Sequence, residues 1–221
     1  MVYKALDMDP PAVDADGISK AQTTAGAANL LLNGDQVVGG VWNIYTIVTG
    51  GAYSSGIGGA RIAIDSAGDV SSVIFTVTGT DQDGIDRTEA ITGVTTTEVN
   101  SVIFWQTISR IAASAQVASN VNVGPIGQIV SPTIALNWRN DFAATFNASG
   151  VTGTLQYDIE ETASDLGAAT DPSTLSWAVS QSNKTADLTG SLLNYSTAAR
   201  VRWDSYSSGA EMQFYIRQND Y

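Results

Sequence analysis

The stretch EMQFYIRQ, residues 211–218, alternates between side chains that avoid water and side chains that tolerate it. Its apolar members occupy every second position: Met212, Phe214 and Ile216. A period of two predicts a β-strand with one face on a core. The same period recurs in LQYDIEET (155–162) and in ARVRW (199–203). The second half of the chain therefore predicts antiparallel strands over a shared core.

Strand signals continue toward the N-terminus and favour an all-β fold. Val73, Phe75 and Val77 share one face, and the turn-forming stretch TDQDGID (80–86) leads into a return strand at 87–92. The sequence Gly124-Pro125-Ile126-Gly127 then interrupts the pattern. We therefore predict two antiparallel β-sandwich domains in tandem, residues 21–125 and 126–221.

Residues 1–20 predict an extended N-terminal arm. Pro10-Pro11 prevents a continuous helix, and the apolar residues of this segment show no helical period. An extended segment can place its side chains on the sheet edge of a neighbouring subunit. We therefore predict partner contacts at Tyr3, Leu6 and Met8.

Composition excludes several classes of protein. The chain has 221 residues with a formal net charge of −12, the wrong sign for a phosphate-binding or anionic-membrane surface, so we expect no nucleic acid and no membrane as partners. It contains neither cysteine nor histidine, which excludes disulfides, thiol nucleophiles and Ser-His-Asp triads. The first residues are acidic and lack an apolar core, so they do not predict a secretory signal, and we expect synthesis in a cytoplasm.

One acidic motif resembles a calcium loop. Asp81, Asp83 and Asp86 surround Gly84, but Ile85 breaks the EF-hand spacing. Aspartate and glycine also form tight turns in which the carboxylates stay solvated. We favour the turn and predict no metal and no cofactor.

A second acidic motif, Asp158 with Glu160 and Glu161, could supply a carboxylate pair for glycoside hydrolysis. Asp158 and Glu160 fall on the polar face of an amphipathic strand, opposite Leu155, Tyr157 and Ile159. We favour a solvated face and predict no catalytic residues, so the chain is expected not to be an enzyme.

Arginines and aromatic residues give the remaining candidates. Four arginines are predicted on outward faces of the second domain: Arg139, Arg200, Arg202 and Arg217. They either pair with acidic neighbours of the same chain or contact another subunit, where arginine is favoured. Three aromatic residues are the candidates for exposed sugar platforms: Trp177, Tyr206 and Tyr215. Tyr215 is also a candidate partner contact.

Several runs resemble small structural proteins encoded in the head and tail gene blocks of tailed bacteriophages. The runs are DADGISKAQTTAGAANLLLNG (14–34), ARIAIDSAGDVSSVIFTVTGTDQDGIDRTEAITG (60–93) and TISRIAASAQVASNVNVG (107–124). The region from LQYDIEET through ARVRW to EMQFYIRQND is similar to the companion C-terminal β domain of those proteins.

The resemblance implies a virion component without catalytic activity. The first expectation is a subunit that decorates and cements the capsid, and the second is a tail, head–tail connector or fibre-anchoring subunit. From a different class, a carbohydrate-binding adhesin module stays open. Expected partners are the major capsid protein or the tail and connector proteins, together with further copies of the chain. A trimer is the expectation by analogy with such proteins.

Overall fold

The computed structural model describes residues 2–8, 10–44, 58–136, 144–164, 175–193, 195–207 and 209–218; the side chains of residues 2 and 3 are not described. These residues contain 18 strands and no helix. The strands are β1 Val2–Met8, β2 Ser19–Thr24, β3 Ala28–Asn29, β4 Val37–Val38, β5 Val41–Asn43, β6 Gly59–Ser66, β7 Ile74–Asp81, β8 Asp86–Thr92, β9 Glu98–Asn100, β10 Trp105–Ala113, β11 Val117–Val130, β12 Ile134–Ala135, β13 Thr145–Thr152, β14 Leu155–Thr162, β15 Ala178–Lys184, β16 Leu188–Ser191, β17 Ala198–Tyr206 and β18 Glu211–Gln218. The predicted all-β, antiparallel fold class is confirmed.

The chain forms two compact units. The N-terminal unit holds the described residues of 11–44 and 59–127, and the C-terminal unit holds residues from 128 onward together with β1. The boundary lies within β11, after Gly127. The predicted division after residue 125 placed residues 1–20 outside both domains, whereas β1 belongs to the C-terminal unit.

The N-terminal unit is organised around β10. This strand pairs with β7 along most of its length, and β7 forms a hairpin with β8 in which Ile74 lies opposite Thr92. Val73, Phe75 and Val77 are buried, as their alternation predicted. Trp42, Trp105 and other large apolar side chains complete this core.

The C-terminal unit contains two antiparallel arrays. One is a four-stranded sheet in the order β1-β18-β13-β16, and the other joins β15, β14 and β17, with β12 and the end of β11 also pairing with β17. In each array the apolar side chains at alternating positions are buried, in the manner of a β-sandwich. Phe146 and Phe214 stack with ring centroids 6.2 Å apart, and Tyr157, Val201 and Trp203 are fully buried.

The predicted N-terminal arm is a sheet strand of its own chain. β1 pairs antiparallel with β18 along its whole length, from Val2 opposite Gln218 to Met8 opposite Met212. Leu6 and Met8 are each only 1% exposed. The arm was predicted from the absence of a helical period, but a period of two was also present and turns these side chains inward. In this structure Leu6 and Met8 therefore pack against their own chain, and not against a partner.

Candidate docking face and buried charge network

The outer face of the four-stranded sheet is the main candidate site. Because Phe214 and Ile216 point into the core, Tyr215 and Arg217 lie on the opposite face of β18. Tyr215 lies opposite Ala5 on one side and Asn147 on the other. We call this surface the docking face and define it by its outward-facing residues on the four strands: Ala5, Asp7, Thr145, Asn147, Ser149, Thr189, Ser191, Glu211, Gln213, Tyr215 and Arg217.

The docking face is polar, and its charged residues are Asp7, Glu211 and Arg217. The Tyr215 hydroxyl donates to Oε1 of Gln213 at 2.7 Å, which fixes the position of the phenol on the sheet. Thr145, Asn147, Thr189, Tyr215 and Arg217 line a shallow depression across three strands. Tyrosine and arginine are enriched at protein interfaces, and lysine and glutamate are depleted there. Tyr215 and Arg217 are therefore residues of the types that protein contacts favour.

Two of the candidate contact residues, Tyr215 and Arg217, thus lie together on this face. Tyr3 occupies the backbone position opposite Arg217, although its side chain lies outside the description. Arg139 falls outside the described residues.

The other two arginines pair within the chain. Arg200 Nε donates to Glu160 at 2.6 Å, and its guanidinium lies 4.2 Å from the ring centroid of Trp177. Arg202 donates to Glu160 at 2.8 Å and to Asp158 at 2.8 Å. Together with Trp177, the charged residues Asp158, Glu160, Arg200 and Arg202 form what we call the buried charge network. It corresponds to the predicted alternative in which the arginines pair with acidic neighbours of the same chain. The structure therefore does not offer Arg200 and Arg202 as partner contacts.

The prediction of a solvated face for Asp158 and Glu160 is wrong. Glu160 is only 3% exposed and Asp158 only 5%, because the arginines of β17 lie directly opposite them in register. The backbone N–H of Asn183 also donates to Asp158 at 2.8 Å. The sequence contained a signal for this pairing, since alternate acids in D-I-E match alternate arginines in R-V-R.

The network affects the pKa values of Arg202 and of Asp204, which lies beside it. Burial lowers the pKa of Arg202, but the charges of Glu160, Asp204 and Asp158 outweigh this and raise it above its ordinary value. Burial raises the pKa of Asp204, and the attraction of Arg202 only partly offsets this effect. Both carboxylates opposite β17 are committed to ion pairs, so the pair is not arranged around an open cleft as glycoside hydrolysis requires.

Glu161 has a separate role that sequence reasoning missed. Its Oε2 accepts a hydrogen bond from the backbone N–H of Leu193 at 2.8 Å and another from the Ser196 hydroxyl at 2.6 Å. The carboxylate is buried, so these bonds replace its hydration. Glu161 therefore holds the connection between β16 and β17. Its partners lie more than 30 positions away, and no local motif indicates them.

The calcium-like motif is a turn built on one buried carboxylate. Asp81 is 1% exposed and accepts hydrogen bonds from the N–H groups of Asp83 and Ile85. Its other oxygen accepts from Arg87 Nε at 2.7 Å. The predicted turn is present, with Gly84 at φ 77°, but the expectation that all its carboxylates are solvated is wrong for Asp81.

The aromatic candidates for sugar platforms differ in accessibility. Tyr206 is buried beside Trp203, and Arg200 covers the ring of Trp177. Tyr215 is half-buried on the docking face. Trp177 and Tyr215 are both partly accessible, and of the two only Tyr215 lies on the docking face.

Within the described part of the chain, no group of three or more acidic side chains is placed to hold a metal ion. The same residues include no helix that could cross a lipid bilayer. In comparisons with known proteins, no family model, no curated protein and no solved structure matches this chain.

Proposed function

We propose that this chain is a structural subunit of a tailed-bacteriophage virion, without enzymatic activity, and that it decorates and cements the capsid. The observation that carries the proposal is the docking face. It presents Tyr215 and Arg217 among mostly polar side chains on an antiparallel sheet. Such a surface suits contact with another folded protein, because tyrosine and arginine contribute most per side chain at interfaces.

The charge distribution also supports an assembly role. The chain has a net charge of −12, and the docking face carries Arg217 together with Asp7 and Glu211. An acidic protein repels its own copies at long range, so a positive group at the contact favours association. Arg217 is such a group, and we propose that the docking face contacts the major capsid protein or a further copy of the chain, as a trimer in the first instance.

A tail, connector or fibre-anchoring subunit is the alternative within the same class, and the number of copies in each particle distinguishes it. A decorating subunit is expected in numbers close to those of the major capsid protein, whereas a tail component is expected in few copies. Quantitative mass spectrometry of purified virions measures this ratio. Absence of the chain from purified virions would overturn the proposal.

The docking face is tested by rebinding. We expect Tyr215→Ala with Arg217→Ala to reduce binding to particles that lack the subunit by at least tenfold, since both side chains belong to the proposed contact. Val179→Ala is the matched control, because Val179 is exposed on β15, away from the four-stranded sheet. Equal loss in both variants would refute the docking face.

An adhesin module predicts a different result. A glycan-array signal that is lost in Tyr215→Ala would identify sugar binding as the role of this face, because a single outward tyrosine is then the platform.

A further inference from the structure

We propose that β1 is an exchangeable strand, which can leave its place beside β18 and occupy the same place in a second copy of the chain. The occupant of the proposed site is therefore the Val2–Met8 strand of another copy. This inference rests on the assembly role proposed above and describes how copies of the chain are linked. Its test needs only the purified protein.

The first observation is that β1 is an edge strand held on one side. In the described chain its only strand partner is β18, and its other edge pairs with no strand. Among side chains 4–8, only Leu6 and Met8 are buried, whereas Lys4, Ala5 and Asp7 are exposed. Release of β1 thus uncovers a short apolar strip rather than a whole core.

The second observation concerns the connection. Pro10 is the last residue of β1's segment in the C-terminal unit, and Pro11 is the first residue of the N-terminal unit. Ala12 is anchored there, because its carbonyl accepts a hydrogen bond from Gln36 at 2.8 Å. Only residues 9–11 therefore separate the end of β1 from the next fixed point, and two of them are proline.

A connection of this composition favours exchange. Proline fixes φ near −65° and biases the preceding residue toward extended conformations. The Pro10-Pro11 connection is therefore stiff and does not easily reverse the direction of the chain. Short, stiff hinges promote exchange of identical elements between copies. The exchanged state keeps the pairing of β1 with β18, because the second copy offers the same β18 residues.

Crowding of copies on a particle increases the tendency to exchange. The competition between β1 of the same chain and β1 of a neighbour depends on their local concentrations. At low concentration the strand of the same chain occupies the site. When many copies stand close together, the neighbour's strand competes effectively and links the subunits.

The absence of cysteine from the chain permits a direct test. Ala5 and Tyr215 lie opposite each other across β1 and β18. Opposed residues of antiparallel strands place their Cβ atoms about 4.5–5.5 Å apart, close enough for a disulfide after small adjustments. Two single variants, Ala5→Cys and Tyr215→Cys, are mixed, unfolded and refolded together at high concentration, and then oxidised.

We expect a disulfide-linked dimer on a non-reducing gel, at least five times more abundant than in the control mixture. The control combines Asn147→Cys with Tyr215→Cys. Asn147 lies opposite the same tyrosine but on β13, which is not exchanged. Dimer yield no higher than in this control would overturn the proposal.

The double variant Ala5→Cys/Tyr215→Cys checks the register. We expect an intrachain disulfide after refolding at low concentration, and a failure to form one would also overturn the proposal. If these variants do not fold, Asp7→Cys with Gln213→Cys tests the same strand pair at exposed positions, with Ser149→Cys as its β13 control. Because none of these measurements uses virions, their failure leaves the virion assignment to its own test.

Discussion

Replacement of Glu160 by Gln tests whether the charge network stabilises the C-terminal unit. Glu160 accepts from Arg200 at 2.6 Å and from Arg202 at 2.8 Å, and its side chain is 4% exposed. Hydrogen bonds to charged groups contribute about 1.5–3 kcal/mol each. Breaking a buried ion pair from one side costs about 3–5 kcal/mol. Because Arg202 retains Asp158 and is partly exposed, we expect Glu160→Gln to lower the free energy of unfolding by about 3 kcal/mol.

Urea unfolding followed by circular dichroism measures this loss. With a slope of about 2 kcal/mol per molar urea, 3 kcal/mol lowers the midpoint by about 1.5 M. Asp204→Asn is the matched control, since Asp204 has a single bond of 3.1 Å to Arg202 and its side chain is 30% exposed. We expect the control to change stability by less than about 1 kcal/mol.

The two variants together distinguish a buried Glu160 from a solvated one. A solvated Glu160 would give a change within about 0.5 kcal/mol, the range of ordinary surface substitutions. If Glu160→Gln and Asp204→Asn shift the midpoint equally, the network does not contribute what its burial implies.

Three further substitutions test other features. Asp81→Ala removes three hydrogen bonds of a buried carboxylate, so we expect the free energy of unfolding in urea to fall by about 2–4 kcal/mol. The control is Asp86→Ala at an exposed position, for which we expect a loss below about 0.5 kcal/mol. Equal losses would contradict the structure of the turn. Burial raises the pKa of Tyr157 to about 12, above its unfolded value of about 10. The contribution of this phenol to stability is therefore fully present below pH 10 and is lost as the pH rises through 12, which lowers the free energy of unfolding by about 2 kcal/mol. In a pH series of melts, Tyr157→Phe is expected to remove this part of the alkaline loss. Gly79→Ala places a methyl group against the carbonyl oxygen of Thr107, so we expect a loss of about 3 kcal/mol in the same unfolding assay, and an unchanged midpoint would contradict the close approach of β7 and β10.

Sequence reasoning succeeded where the information is local. The alternation in EMQFYIRQ and around Phe75 fixes which side chains face a core, because a strand exposes its two faces in turn. The same reasoning placed Tyr215 and Arg217 on an outward face. Neither result depends on knowing which strand lies alongside.

Sequence reasoning failed where the outcome depends on a partner that is far away in the sequence. The polar face of β14 is solvated or buried according to what lies opposite, and the arginines of β17 are about 40 positions away. β1 was predicted to be extended, which it is, but its partner β18 lies at the other end of the sequence. Periodicity identifies a strand without identifying its neighbour, so these contacts required the structure.

The path of the chain has a consequence for synthesis. Val2 pairs with Gln218, so the ribosome makes β18 roughly 200 residues after β1. At 5–20 residues per second, about 10–40 seconds separate the two strands. During that interval the N-terminal unit can fold as soon as it has left the exit tunnel, whereas β1 waits without its partner. Under the exchange proposed above, a finished copy nearby offers the same β18, so the local concentration of newly made copies affects which β18 the strand meets.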